Sequence, residues 1–217
     1  MNNTVLYSFL FLLCAILFTS GCTTTTPYDY SAFNKSKPRS IVIIPPLNNS
    51  LEVNAPYIYL STLTRPLAEK GYYVFPVSVI DHFLKENGLP TPAEMNGIPL
   101  DKIHEHIGAD AVLYIAIEDW GQKYTLLAST AKVKAKLRLV DTITGELLWE
   151  ATAFAQKSSN DGNNGGLIGA LVGALVVQIM SSTIADQTPG LARQANIVTI
   201  NKVGRGMLNG PYKPSSH

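Results

Sequence analysis

The stretch KVKAKLRLVDTITGELLWE, residues 132–150, alternates charged and apolar side chains strictly through its first eight positions. One face of the predicted strand carries cations and the other carries aliphatic side chains. The cations are Lys132, Lys134, Lys136 and Arg138, and the aliphatic residues are Val133, Ala135, Leu137 and Leu139. Residues 141–145 supply turn chemistry, and residues 146–156 form the predicted return strand. The pattern predicts an antiparallel hairpin with one buried face.

The cationic face of this hairpin has two possible roles. Glu146 and Glu150 share a parity on the return strand, so in an even register they lie across from the cations as cross-strand pairs. This pairing favours a solvated, partly neutralised sheet face, which antiparallel sheets commonly have. The alternative is a binding site for anionic lipid or peptidoglycan.

The chain before the hairpin alternates short β-branched runs with helical patterns. Strands are predicted over residues 41–44, 72–75 and 111–117, and helices from Asn54 as N-cap to Gly71 with a break at Pro66, over 78–86 and over 100–107. Residues 89–99 are predicted to be a loop, and Glu118-Asp119 to lie in a loop or turn before Gly121. This order predicts an α/β fold, a mixed sheet with a parallel βαβ part and an antiparallel hairpin, with helices packed on it.

The first 21 residues are predicted to be a cleaved signal peptide. They carry no charged side chain, and an apolar run from Val5 to Phe18 ends in small residues just before Cys22. About 14 apolar residues are short for a hydrocarbon core of ~30 Å, which argues against an uncleaved anchor. Because Cys14 leaves with the signal peptide, Cys22 is the one cysteine of the predicted mature chain.

This start resembles that of bacterial lipoproteins, in which Gly21 precedes the cut and Cys22 carries the lipid. The resemblance implies attachment to the membrane through an acyl group such as palmitate. Thr23 follows the cysteine, where enterobacterial lipoproteins retained in the inner membrane have aspartate, so the implied location is the outer membrane with the domain in the periplasm.

The remainder of the chain divides by composition. Residues 22–38 are Thr/Ser/Pro-rich and are predicted to be a lipidated flexible tether. Residues 39–203 are predicted to form a single α/β domain whose last helix begins at Thr188-Pro189. Residues 204–217 show no periodicity and are predicted to be an irregular tail.

The stretch GNNGGLIGALVGALVVQIM, residues 162–180, is predicted to be an apolar helix. Its uninterrupted apolar part, 167–177, would span about 17 Å, which is too short for a bilayer. A candidate helix-packing or oligomer interface follows from the glycines spaced four apart and their apolar neighbours. These residues are Gly165, Gly169 and Gly173 with Ile168, Leu171 and Leu175. Packing under the domain's own sheet, packing against a second copy or a partner lipoprotein, and insertion into a membrane after assembly all remain open.

The sequence offers no recognisable catalytic constellation. Net charge is +1 with 15% charged residues, which predicts no nucleic-acid partner. His104 and His106 would lie about 200° apart on a helix and could not share an ion, so Asp101 and Glu105 beside them do not make a metal site. Nucleophile elbows, HExxH motifs and phosphate loops are missing from the sequence. We therefore expect no catalytic residues, no metal, no cofactor and no enzymatic activity.

Several motifs in order resemble a family of bacterial lipoproteins that includes a neisserial surface-antigen candidate. They are RSIVIIPPLNNS, LAEKGYYVFPV, IGADAVLYIAI, DTITGELLWE and GPY. The resemblance implies a domain similar to the N-terminal domain of TolB and the periplasmic domain of CsgG. It also implies a non-enzymatic structural or accessory role in an envelope secretion or transport assembly with CsgG-like lipoproteins. The partners that we expect besides the membrane are a second copy of the chain, forming a dimer, other envelope lipoproteins, or both. The alternative is a regulator or sensor lipoprotein that binds an envelope enzyme or a cell-wall fragment, which a long tether would favour.

Overall fold

Three stretches of the chain, residues 27–124, 129–158 and 186–214, are described by the computed structural model. The predictions for the signal peptide, for Cys22 and for the apolar stretch 162–180 lie outside these residues. The same holds for all six residues of the predicted interface: Gly165, Ile168, Gly169, Leu171, Gly173 and Leu175.

The sheet has six strands in the described ranges, and its order is β3-β1-β4-β5-β6, with β2 paired to β4. The strands are β1 (Ser40–Ile43), β2 (Leu47–Asn48), β3 (Tyr73–Val74), β4 (Ala111–Tyr124), β5 (Ser129–Asp141) and β6 (Leu147–Ser158). β1 is parallel to both of its neighbours, β3 and β4, whereas β5 is antiparallel to both of its neighbours, β4 and β6. The predicted mixed sheet, with a parallel part and an antiparallel hairpin, is confirmed.

Helices connect and cover these strands. They are α1 (Ser31–Ser36), α2 (Ala55–Ser61), α3 (Thr64–Glu69), α4 (Val77–Glu86), α5 (Pro92–Asn96), α6 (Leu100–Ile107) and α7 (Thr188–Ile200). The predicted break is present, because Pro66 lies in the first turn of α3. Asn54 precedes α2 as predicted, but its side chain caps nothing, since its own backbone is already helical with φ −85° and ψ −7°.

The two faces of the sheet bury separate apolar clusters. α2, α3 and α7 cover the face that carries the odd-numbered aliphatic residues of β5, among them Val133, which is fully buried. α4, α5 and α6 cover the other face only beside β1 and the start of β4, where Val42 and Val112 are buried. The second face is therefore helix-covered at the parallel end of the sheet and carries the cationic side chains of β5 farther along.

Residues 89–99, predicted to be a loop, contain helix α5. Thr91 accepts a hydrogen bond from the N–H of Glu94, and the Glu94 carboxylate accepts one from the N–H of Thr91. This is a capping box, with Pro92 at the first helical position. The prolines and glycines of this segment favour a loop, so the sequence pattern did not reveal the start of this helix. Met95 of the short helix is fully buried.

The predicted tether, residues 22–38, is wrong from residue 28 onward, because residues 28–38 belong to the packed domain. Phe33 of α1 is 3% exposed and lies in the larger core cluster. The Tyr30 hydroxyl donates to the carbonyl of Gly206 at 2.5 Å, and the Ser36 hydroxyl donates to Asp141. Tyr30 and Phe33 supply the apolar surface that packs on the domain, which the Thr/Ser/Pro-rich composition of the segment did not indicate.

The predicted irregular tail has neither helix nor strand from 204 to 214, yet it packs against the domain. The Trp149 indole donates to the carbonyl of Arg205 at 2.9 Å, and the Tyr72 hydroxyl donates to that of Leu208 at 2.7 Å. Met207 is 2% exposed within the core. The tail is held by hydrogen bonds to its backbone, for which periodicity gives no signal.

Candidate interaction surface

A β-bulge in β4 shapes the exposed face of the antiparallel strands. Ile117 is opposite Ala135 and Asp119 is opposite Lys134, so Glu118 is the extra residue. A bulge of this kind lets two consecutive residues oppose one residue of the partner strand. Glu118 and Asp119 both reach the cationic face of β5 as a result.

The two carboxylates pair with three of the four cations. Glu118 binds Lys134 at 2.8 Å through one oxygen and Lys136 at 2.5 Å through the other. Asp119 binds Lys132 at 2.6 Å. The hydrogen bonds from Lys134 and Lys136 hold the pKa of Glu118 below its usual range.

This arrangement corrects two predictions from the sequence. Glu118 and Asp119 lie inside a strand and not in a loop, and the bulge overrides the rule that adjacent strand residues point to opposite faces. The countercharges of the lysines come from β4, whereas β6 was predicted to supply them. Glu150 is opposite Arg138 in the register, and Glu146 instead lies 3.7 Å from Lys35 of α1. The pairing favours a neutralised sheet face over a site for anionic lipid or peptidoglycan.

The loop between β2 and α2 presents two strongly exposed aliphatic side chains close together in the sequence. Leu51 is 102% exposed and Val53 is 81% exposed. The loop is nevertheless fixed, because Asn48 accepts hydrogen bonds from Ser50 and donates to the carbonyl of Glu52 at 2.8 Å. Apolar side chains held in water by an ordered loop mark a candidate contact for another molecule.

Glu105 and His104, which lie beside each other on α6, contact different groups and not a shared site. Glu105 pairs with Lys102 at 2.6 Å, and His104 Nδ1 lies 3.3 Å from the Thr142 hydroxyl oxygen and 3.4 Å from the Ala109 carbonyl. Across residues 27–124, 129–158 and 186–214, no three His, Cys, Asp or Glu side chains form a group that could hold a metal ion. The described helices also include none that is both long enough and apolar enough to cross a bilayer.

Comparison with known proteins identifies one family. The model of the family described as "Putative lipoprotein GNA1162-like" matches residues 28–212. The chain is 41% identical over 153 residues to "Putative lipoprotein NMB1124/NMB1162" of Neisseria meningitidis serogroup B. The aligned region covers 70% of this chain and 71% of that protein.

The same family appears among solved structures. The crystal structure of lipoprotein GNA1162 from Neisseria meningitidis matches with a TM-score of 0.55 and 41% identity, covering 59% of this chain and 89% of that one. PelC from Paraburkholderia phytofirmans, solved as a dodecamer, matches with a TM-score of 0.44 and 14% identity over 75% of this chain and 86% of its own. The second likeness is too distant to carry an argument about function.

Proposed function

Since the chain belongs to the GNA1162-like lipoprotein family, we propose that it is a lipid-anchored accessory protein of the cell envelope that works by docking and not by catalysis. Its lipid is attached at Cys22, and its domain lies in the periplasm under the outer membrane. Its partners are other envelope lipoproteins, CsgG-like ones among them, or further copies of itself.

The short distance between the anchor and the packed domain carries this proposal. Tyr28 follows Cys22 by six positions, and its ring packs on the larger core cluster. Six residues span at most about 20 Å when fully extended, so a lipid at Cys22 keeps the domain close to the membrane that holds it. A regulator that reaches an enzyme in the opposite membrane would need a far longer connection, which is why docking within one membrane is favoured.

The charged sheet face supports a non-enzymatic role. A general acid or base needs a pKa near the working pH, and the pKa of Glu118 is lowered by its two lysines, away from neutrality. The ordered loop with Leu51 and Val53 instead provides what a docking site needs, which is apolar surface at small ordering cost.

The anchor is tested by replacing Cys22 with alanine in cells labelled with a palmitate analogue. Cys22→Ala should lose the label and release the protein from the membrane pellet. Cys14→Ala is the matched control, because Cys14 lies in the predicted signal peptide, and this variant should keep both the label and the pelleting. Label retained by Cys22→Ala would refute attachment at that residue.

Docking is tested by affinity purification of the acylated protein after cross-linking in intact cells. The native chain should recover envelope lipoproteins, and Leu51→Asp with Val53→Asp should reduce their yield severalfold. Ile143→Asp is a control, since Ile143 is also exposed, at 73%, but lies at the β5–β6 turn. Recovery of the chain alone as a monomer would contradict the accessory role.

A further inference from the structure

The outer edge of β6 is the longest open edge of the described sheet. β6 is the last strand in the order β3-β1-β4-β5-β6. The N–H of Glu150 points away from β5, because it donates to the Tyr28 hydroxyl at 2.9 Å. The N-terminal segment thus covers the edge as far as Glu150.

The direction of the following backbone groups is fixed by the register. β5 and β6 pair without a shift from Arg138↔Glu150 to Thr130↔Ser158. Because N–H and C=O groups point to alternate sides along an antiparallel strand, those of Thr152, Phe154 and Gln156 also point outward. Within the described ranges, no residue hydrogen-bonds to these outward groups. Among the described residues, these three ladder positions therefore have no partner strand.

This edge lacks the features that normally protect an edge strand. Natural edges are short, charged, bulged or interrupted by proline. The opposite edge strand, β3, has only two residues and is followed by Pro76. Residues 151–156 of β6, with the sequence ATAFAQ, contain no charge, no proline and no glycine. An edge of this kind in a native protein calls for a partner strand.

We propose that β6 pairs antiparallel with β6 of a second copy, around a two-fold axis at Phe154. This pairing sets Phe154 opposite its counterpart and Thr152 opposite Gln156 of the other copy, with about six backbone hydrogen bonds. On the other face, Ala153 meets Ala155. The pairing ends at Ala151, which faces Lys157 of the other copy, because Tyr28 covers the edge at Glu150. No like charges come opposite each other in this pairing. The pairing extends the sheet across both copies.

The second copy fits this edge because residues 152–156 of the two copies can pair with one another about the axis at Phe154. The small side chains of Ala153 and Ala155 let the two strands approach on the helix-covered face. On the open face the two Phe154 rings lie side by side, which buries apolar surface that the monomer leaves partly exposed. The inference deepens the proposed function, since it assigns the surface used for self-association.

The register is tested by disulfide trapping of the full-length protein in an oxidising periplasm. Residues that face each other across the axis come within the ~4.4–6.8 Å between Cα atoms that a disulfide needs. Phe154→Cys should form a covalent dimer. Thr152→Cys alone should not, but Thr152→Cys expressed together with Gln156→Cys should form a mixed dimer. Acylation of Cys22 leaves no competing thiol in the mature chain.

A second measurement uses the acylated protein in detergent and its mass by light scattering. Thr152→Pro removes one outward N–H without touching the β5 ladder, so it should reduce the dimer to a monomer that keeps the native far-ultraviolet circular dichroism spectrum. Thr152→Val keeps the N–H and should remain dimeric. The proposal is overturned if Phe154→Cys stays monomeric, as it would if residues 159–185 of the same chain covered the edge, or if Thr152→Pro remains dimeric. Such a result would leave the recovery of other lipoproteins, and with it the proposed function, unaffected.

Discussion

Asn196 of α7 is a fully buried amide whose partners come from α2 and the residue after it. Its Oδ1 accepts a hydrogen bond from the Tyr59 hydroxyl at 2.6 Å, and its Nδ2 donates to the Thr62 hydroxyl at 2.8 Å. Burial raises the pKa of Tyr59, so the phenol remains a donor throughout the accessible pH range. These bonds tie together elements more than 130 residues apart.

Loss of one partner of Asn196 should therefore be costly. Tyr59→Phe leaves the amide oxygen buried without a donor, and we expect the free energy of unfolding to fall by about 1–3 kcal/mol in urea titrations. Tyr212→Phe, at a site 62% exposed, is the control and should change little. Equal losses in the two variants would contradict a role for the buried pair.

Asp141 gives the fold a pH dependence. Burial acts to raise the pKa of this carboxyl, but hydrogen bonds from the Ser36 hydroxyl and the turn backbone outweigh burial and lower the pKa. The N–H groups of Ile143 and Thr144 donate to it at 2.9 and 2.8 Å. Because the folded pKa is depressed, the stabilisation is complete above the unfolded value of about 3.9 and is lost as pH falls through the folded value.

The Asp141→Asn variant isolates this contribution. At pH 7 it should be less stable than the native chain by about 1–2 kcal/mol, because the charged acceptor is lost. The difference should narrow as pH falls below about 4, when the native carboxyl is protonated too. Denaturation curves at several pH values measure this. A difference that stays constant down to pH 2.5 would show that the charge is irrelevant.

At the level of elements, Gly71 is where the end of α3 meets the C-terminal tail. Its φ is +91°, and an added Cβ would overlap the backbone of Lys213. Gly71→Ala should therefore cost more than the ~1–2 kcal/mol of a left-handed alanine, and should expose residues 202–213 to trypsin. Gly88 is the matched control, with φ +83° and nothing within 4 Å of an added Cβ. Gly88→Ala should show only the backbone cost, and equal losses in the two variants would refute the close contact.

Local patterns predicted elements well and contacts between distant elements poorly. The alternation in residues 132–139 defines both faces of β5 without reference to any partner strand. The bulge at Glu118 could not be predicted, because it exists only in relation to β5. The packing of Tyr30 and Phe33 was missed for a similar reason, since their partners include residues near 206. Of the candidate surface, the sequence predicted the cations but not the strand that neutralises them.

At the scale of the whole molecule, α1 makes the N-terminal segment a structural part of the domain. Phe33→Ala should lower the free energy of unfolding by about 3–5 kcal/mol, the usual cost of removing a buried phenylalanine side chain. Phe83→Ala on α4 is the control, because Phe83 is 38% exposed and should cost much less. Thermal or urea unfolding distinguishes the two. A small effect at Phe33 would restore the view that the whole of residues 22–38 is a tether.

The contact between Tyr30 and Gly206 joins the beginning and the end of the described chain. The two residues are 176 positions apart, and Phe33 and Met207 share one core cluster. A chain that enters an export channel N-terminus first brings out Tyr30 long before Gly206, so the larger core closes only when nearly all of the chain has emerged. Contacts so distant in sequence form slowly. Under the proposed attachment at Cys22, the modifying enzyme would thus meet an extended substrate, and the domain would fold afterwards, already fixed to its membrane.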